Sequence, residues 1–206
     1  DFIARLEAEG RPLPEYVREE FETYLRCGVL EHGFLRVVCE HCRAERLVAY
    51  SCKKRGLCPS CGARRMAESA RHLVDEVFGP RPVRQWVLSF PYPLRFLFAS
   101  KPEAIGPVLG IVHRVIAGWL ADQAGVLRDT AQCGVVTLIQ RFGSALNLNI
   151  HFHMLWLDGV YEDTTERPQR KPRLHRTRAP TSAQLTELAN TIAHRVCRHL
   201  SRRGWL

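Results

Sequence analysis

Negative charge is scarce in this chain of 206 residues: 21 Asp and Glu stand against 30 Lys and Arg, a formal charge of +9. That imbalance points to a polyanionic partner such as nucleic acid, although charge by itself does not separate DNA from RNA or from an acidic membrane. No apolar run approaches the roughly 20 residues that a membrane helix needs, and the N-terminus lacks the apolar core of a signal peptide. Both gaps argue for a soluble intracellular protein. There is no internal repeat, which excludes a solenoid. Hydrophobic residues at 46% and charged residues at 25% are ordinary for a globular protein, so disorder is not expected. The length allows one large domain, or a medium domain with a small appendage. The first residue is Asp1 rather than Met, which suggests a piece of a longer chain.

Cysteine is not scarce. Four of the eight cysteines form two C-x2-C pairs, Cys39/Cys42 and Cys58/Cys61, separated by 15 residues. This spacing suits a four-thiolate structural zinc site in a reducing compartment better than a disulfide framework. Gly62 leaves room for backbone amides to approach the sulfurs, and Pro59 fits a tight turn. Cys52 could replace one ligand or lie spare beside the site, and His32 and His41 are weaker substitutes. Cys27, Cys133 and Cys197 read as small core residues. Lys53, Lys54, Arg55, Arg64 and Arg65 surround the pairs. Some of these cations can simply offset the negative charge of a thiolate-zinc centre, while the others can grip DNA phosphates.

Periodicity organises the rest. Val17, Phe21, Tyr24 and Leu25 mark a helix within 14–30, and Met66, Ala70, Leu73, Val74 and Val77 mark another that ends near Gly79-Pro80. Residues 1–81 thus read as a small helical, zinc-bearing, DNA-binding domain, and 82–206 as a second domain. In the second, Val83 to Phe90 reads as a strand closed by Pro91-Tyr92-Pro93. Ser100 and Glu103 have the spacing of a capping box before a helix reaching about Gln123. Gly134 to Arg141 and Ile150 to Leu157 read as an antiparallel pair of strands. Residues 162–180 hold six Lys/Arg, three acids and almost no large apolar residue, which predicts a basic loop or hairpin insertion. Thr181 caps a last helix with Leu185, Leu188, Ile192, Val196 and Leu200 on one face. The order strand, helix, strand, strand, helix is that of an α+β, ferredoxin-like split βαβ fold without its final strand.

His151-Phe152-His153 lies on the last of these strands. Alternation sets Ile150, Phe152, Met154 and Trp156 on one face against Asn149, His151, His153 and Leu155 on the other, so both imidazoles point the same way. Such a pair can hold one divalent ion, or it can be a polar strand face meeting solvent and carbonyls. Asp158 is the only carboxylate nearby, and it can cap the strand through a turn with Gly159. This shortage argues against a hydrolase that activates water with extra carboxylates.

Taken together, the cysteine pairs with CPSCGARR, the segment RQWVLSFPYPLR, and QRFGSALNLNIHFHMLWLDGVY closely resemble the zinc-bearing rolling-circle transposases of the insertion sequence ninety-one family. Those transposases belong to the histidine-hydrophobic-histidine (HUH) endonucleases, and the resemblance runs from about Cys39 to Tyr161. It implies an HUH nuclease core that cleaves and rejoins single-stranded DNA at transposon ends, in the cytoplasm at the bacterial nucleoid. It further implies that His151 and His153 bind Mg²⁺ or Mn²⁺ together with one polar ligand from a neighbouring position, Gln140 by preference and Asn149 as runner-up. Imidazole donors fit Mn²⁺ better than Mg²⁺. The family's nucleophiles are paired tyrosines on a helix downstream of the histidines. Here the tyrosines are Tyr16, Tyr24, Tyr50, Tyr92 and Tyr161, none in such a pair, which predicts binding of DNA and metal with little or no cleavage. The alternative is a zinc-ribbon nucleic-acid-binding module with no catalytic role.

Overall fold

Where apolar residues recur at the period of a helix or a strand, the computed structural model places that element; it describes residues 2–53, 58–145, 147–163 and 172–206. Chain contacts divide the molecule into two units, Asp1–Gly79 and Pro80–Leu206.

The first unit contains α1 (Phe2–Ala8), α2 (Glu15–Leu25), a hairpin of β1 (Phe34–Val38) and β2 (Glu45–Ala49), and α3 (Pro59–His72). Pro14 occupies the N-cap of α2 with φ −53°, and Pro59 opens α3, where a missing N–H costs nothing. The last turns of α3 widen into a π-helical segment, Leu73–Phe78, before Gly79 turns the chain at φ 57°. None of these helices or strands buries an apolar face. Among the described residues of this unit, only Cys58 and Phe78 are buried.

The second unit contains β3 (Val83–Ser89), α4 (Tyr92–Ser100), α5 (Ile105–Ala124), β4 (Ala131–Gln132), β5 (Val135–Phe142), β6 (Leu148–Leu157), β7 (Gly159–Glu162), β8 (Leu174–Arg176) and α6 (Ser182–Arg202). One sheet has the order β3-β6-β5, with β6 antiparallel to both neighbours. β3 and β5 therefore run parallel to each other on either side of an antiparallel strand, joined by a helical crossover. A second sheet, β4-β7-β8, contains the hairpin form of the 162–180 insertion; residues 164–171 lie outside the described residues. Gly159 is required where β7 meets β8, because a Cβ there would come within 2.5 Å of the His175 carbonyl oxygen.

The core lies on one face of β6. Ile150, Phe152, Met154 and Trp156 pack with Val108, Val112, Ile116 and Leu120 of α5 and with Leu188, Ile192, Val196 and Leu200 of α6. A capping box starts α6: Thr181 Oγ1 accepts from the Gln184 N–H, and the Gln184 side chain accepts from the Thr181 N–H. α5 ends in a left-handed Gly125 at φ 66°, whose N–H returns to Ala121 and Asp122 carbonyls.

Several expectations need correction. Pro91-Tyr92-Pro93 ends the strand but also starts α4, since proline is tolerated in a first helical turn. Ser100 caps no helix; it closes α4 and its hydroxyl donates back to the Phe96 and Leu97 carbonyls. Leu185 sits on the exposed side of α6. The segment Pro102–Ala124 is long and apolar enough, by length and composition, to cross a membrane, although glycine and charged residues interrupt its apolar sequence. Its buried face in the core of this unit accounts for that apolar character.

Candidate metal centres and nucleic-acid contacts

The first unit is built around four thiols that come from three places. Gly28 donates to the Tyr50 carbonyl, and Tyr50 donates to the Gly33 carbonyl, both at 3.0 Å. These bonds bring the segment after α2, which carries Cys27, against the exit of β2, which carries Cys52. The Cys52 amide then reaches Cys27 Sγ at 3.4 Å. Cys58 caps α3 and Cys61 lies in its first turn. The sulfurs of Cys27, Cys52, Cys58 and Cys61 all lie within 4.8 Å of one another. Cys27–Cys61 is 3.5 Å, Cys27–Cys58 3.6 Å and Cys52–Cys61 3.7 Å. Four sulfurs at zinc bonding distance in a tetrahedron sit about 3.8 Å apart, so the cluster has the right size for that ion. Burial pushes the Cys61 thiol up, but hydrogen bonds with Cys27, the Lys53 amide, Cys52 and Cys58 outweigh it and bring the thiol to about 7.

The expected partnership of Cys58 and Cys61 with Cys39 and Cys42 is therefore corrected. Cys39 and Cys42 sit at the exposed tip of the β1–β2 hairpin and take no part in the cluster. A ribbon of five-residue strands carries its tip about 15 Å from its base, so regular sequence spacing did not translate into proximity. Cys42 and His41 amides and the Cys42 thiol hold the Cys39 thiol below the usual range, with the Cys42 amide the largest influence. Cys27 is a cluster member, not a core residue; the signal for it was its place just after a helix, with glycine following. Cys197 is exposed, whereas Cys133 is half-buried with its thiol against the Ala117 carbonyl.

Lys53, Arg64 and Arg65 line one surface cavity of about 210 Å³ together with Ser51, Cys61 and Glu68. Lys54 and Arg55 lie outside the described residues. Three of the five candidate phosphate contacts thus stand beside the thiol cluster.

In the second unit, His151 and His153 project from the face of β6 opposite the core, with ring centroids 4.9 Å apart. His151 is 8% exposed, and its Nδ1 lies 2.6 Å from the Asn149 carbonyl oxygen, which leaves Nε2 as the free nitrogen when Nδ1–H donates. His153 Nδ1 contacts the side-chain amide of Gln85 at 3.0 Å, a partner that sequence reasoning did not find. The register puts Gln140 of β5 directly across from His151 on one side and Ser89 of β3 on the other. Asn149 Oδ1 is buried and has no hydrogen-bond partner among the described residues. Asp158 is committed elsewhere: its Oδ1 accepts from Arg84 at 2.8 Å and 2.6 Å. Tyr161 is the acceptor of an Arg81 hydrogen bond at 2.8 Å.

The comparisons with known proteins follow this division. Residues 1–90 match the family described as "Transposase zinc-binding domain", and residues 134–206 match the family described as "Putative transposase". No curated protein and no solved structure matches the chain. The zinc-binding match covers the four-thiol unit, and the transposase match covers the histidine strand and the helix that packs behind it. The chain belongs to the transposases of the insertion sequence ninety-one family, with their zinc-binding domain at its N-terminal end.

Proposed function

We propose that this chain binds single-stranded DNA at transposon ends and positions a divalent cation for its cleavage and rejoining, as an HUH-type nuclease core of ferredoxin-like plan. The observation that carries the reading is the pair of imidazoles on one face of the central strand, with amide side chains close to both. The strand order β3-β6-β5 supports the fold assignment, since two parallel strands flanking an antiparallel one make up a split βαβ unit.

In this reading His151 and His153 hold the ion through their Nε2 atoms. The Asn149 carbonyl fixes the tautomer of His151, and Gln85 does the same for His153 when its amide oxygen faces Nδ1. Asn149 Oδ1, which has no hydrogen-bond partner among the described residues, and Gln140 across the sheet are the candidate oxygen ligands. A bound Mg²⁺ or Mn²⁺ supplies positive charge to the oxygens of the scissile phosphate. Zinc in the other unit is structural, because four thiolates leave no open position, and Cys27, Cys52, Cys58 and Cys61 are its ligands. Lys53, Arg64 and Arg65 beside it contact DNA phosphates. Such a protein works in the cytoplasm, at the nucleoid.

Manganese titration followed by paramagnetic resonance tests the proposal. Zinc-loaded wild-type protein should bind one Mn²⁺ that EDTA strips readily, and His151→Ala should abolish it; Asn149→Ala and Gln140→Ala then identify the third ligand. Unchanged Mn²⁺ binding in His151→Ala would refute the paired-imidazole site and leave a zinc-bearing DNA-binding module. None of the tyrosines of this chain lies on a helix downstream of the histidines, so single-stranded oligonucleotides should be bound without forming a covalent adduct.

A further inference from the structure

The helical layer of the second unit carries an unmatched concentration of positive charge, on the opposite side of the β3-β6-β5 sheet from the histidines. Arg195, Arg198 and Arg202 follow one another at helical spacing along the exposed side of α6, and Arg114 of α5 faces them across the groove between the helices. Together with Ile111 and His199 they line a cavity of about 320 Å³. A second cavity, of about 150 Å³, continues past Arg114 and Arg195 toward Arg128.

Some arginines elsewhere in the molecule are paired, among them Arg36 with Glu45, Arg84 with Asp158, and Arg128 with Asp122. Among the described residues, no carboxylate pairs with Arg114, Arg195, Arg198 or Arg202, and Glu187, farther along the groove, makes no ion pair with them. Like charges gathered in this way repel one another, and the arrangement lacks its counter-charge. His199 points the same way: its Nε2 is buried without a hydrogen-bond partner among the described residues.

We infer that the α5–α6 groove is a second nucleic-acid site, which binds the phosphate backbone through Arg114, Arg195, Arg198 and Arg202. Guanidinium forks match phosphate oxygens two at a time, which suits backbone contact rather than base reading. Arg195 to Arg202 spans about 10 Å of helix, the axial length of about three phosphates on one strand. The site does not use the histidine pair, and it rests on the functional reading only in taking nucleic acid as the polyanion. One molecule can then hold nucleic acid on both sides of the sheet.

Fluorescence anisotropy with a 30-nucleotide single strand and a 30-base-pair duplex (about 30 units in each case), titrated over a range of salt, tests this. The zinc-loaded full chain, without Mn²⁺, is compared with Arg195→Ala/Arg198→Ala/Arg202→Ala and with the same three positions changed to Lys. The Ala variant should bind about tenfold more weakly, and the slope of log K against log salt should fall by about 2. The Lys variant should keep the slope. The Ala variant should still bind Mn²⁺ as wild type does, so failure of the groove and failure of the histidine site are read separately. These arginines are exposed, and an unchanged thermal melt establishes that the variants fold. An Ala variant that folds and binds both oligonucleotides as wild type overturns the proposal. So does an Ala variant that loses binding only to phosphatidylserine vesicles, which would make the groove a membrane contact.

Discussion

The two units of this chain are held together in different ways. In Pro80–Leu206 the apolar faces of β6, α5 and α6 meet in a continuous core, with Phe152, Val108, Val112 and Leu200 at 0% exposure. In Asp1–Gly79 hydrophobic side chains such as Phe34, Leu35, Val37, Leu47 and Val48 remain exposed, and among the described residues the best-buried is a cysteine, Cys58 at 3%. A small unit without a core cannot offset its conformational entropy by apolar burial. Four convergent thiolates can do so through a metal. The lesson is that convergent thiols stand in for a core in the first unit, whereas in the second a continuous apolar core backs the strand whose outer face carries His151 and His153.

The strongest way to break this comparison is to withdraw the metal. Structural zinc contributes about 10–16 kcal/mol of apparent binding free energy in small thiolate domains, far more than a single side chain. A chelator strong enough to extract zinc should therefore unfold residues 2–53 and 58–79 while leaving the second unit folded. Hydrogen exchange read peptide by peptide would show it, and loss of protection spreading into α5 and β6 would overturn the separation. Cys27→Ser should behave like chelation. Cys39→Ser should leave zinc content at wild-type level, and loss of the ion in that variant would restore the hairpin-tip cysteines to the ligand set.

The reverse experiment removes core from the second unit. Trp156 is 1% exposed at the centre of the sheet, and truncation of such a side chain costs about 3–5 kcal/mol. Trp156→Ala should lower the melting temperature of the second unit with no change in zinc retention by the first. A smaller effect is expected at the start of α6, where Thr181→Ala removes the capping hydroxyl and should cost about 1 kcal/mol, measured by denaturant titration.

How much of this was legible beforehand follows the same division. β6, α5 and α6 were readable because their partners lie at fixed offsets in the pattern: Phe152, Met154 and Trp156 at period two, and Leu188, Ile192, Val196 and Leu200 at helical period. The common orientation of His151 and His153 followed from that alternation alone. The thiol cluster was only half readable. Cys58 and Cys61 are neighbours by local geometry, but Cys27 and Cys52 reach them through two long-range backbone bonds at Gly28 and Tyr50, which no local pattern encodes. α4 was hidden because prolines that end a strand can also begin a helix. Gln85 escaped notice because its contact with His153 crosses to another strand, diagonally, 68 positions away in sequence.

A finer test concerns acid. His113 of α5 is half-buried, its Nε2 2.9 Å from the Thr137 hydroxyl of β5 and its ring edge-on to Trp156 at 5.6 Å between centroids. Burial pushes its pKa below the ordinary value of 6.5. The unfolded chain, with the higher pKa, then binds more protons in the interval between the two values, so stability rises with pH across it. The contribution is fully present above about pH 6.5 and declines as pH falls through that value toward the depressed one. His113→Gln keeps a hydrogen-bonding side chain without the titration. The melting temperature of the second unit should therefore fall less between pH 7.5 and 5 in the variant than in wild type, where those pH values are chosen to bracket roughly 6.5. Identical slopes would show that His113 stays solvated enough to take up its proton in the folded state, and that the core in this unit stops short of α5's polar seam with β5.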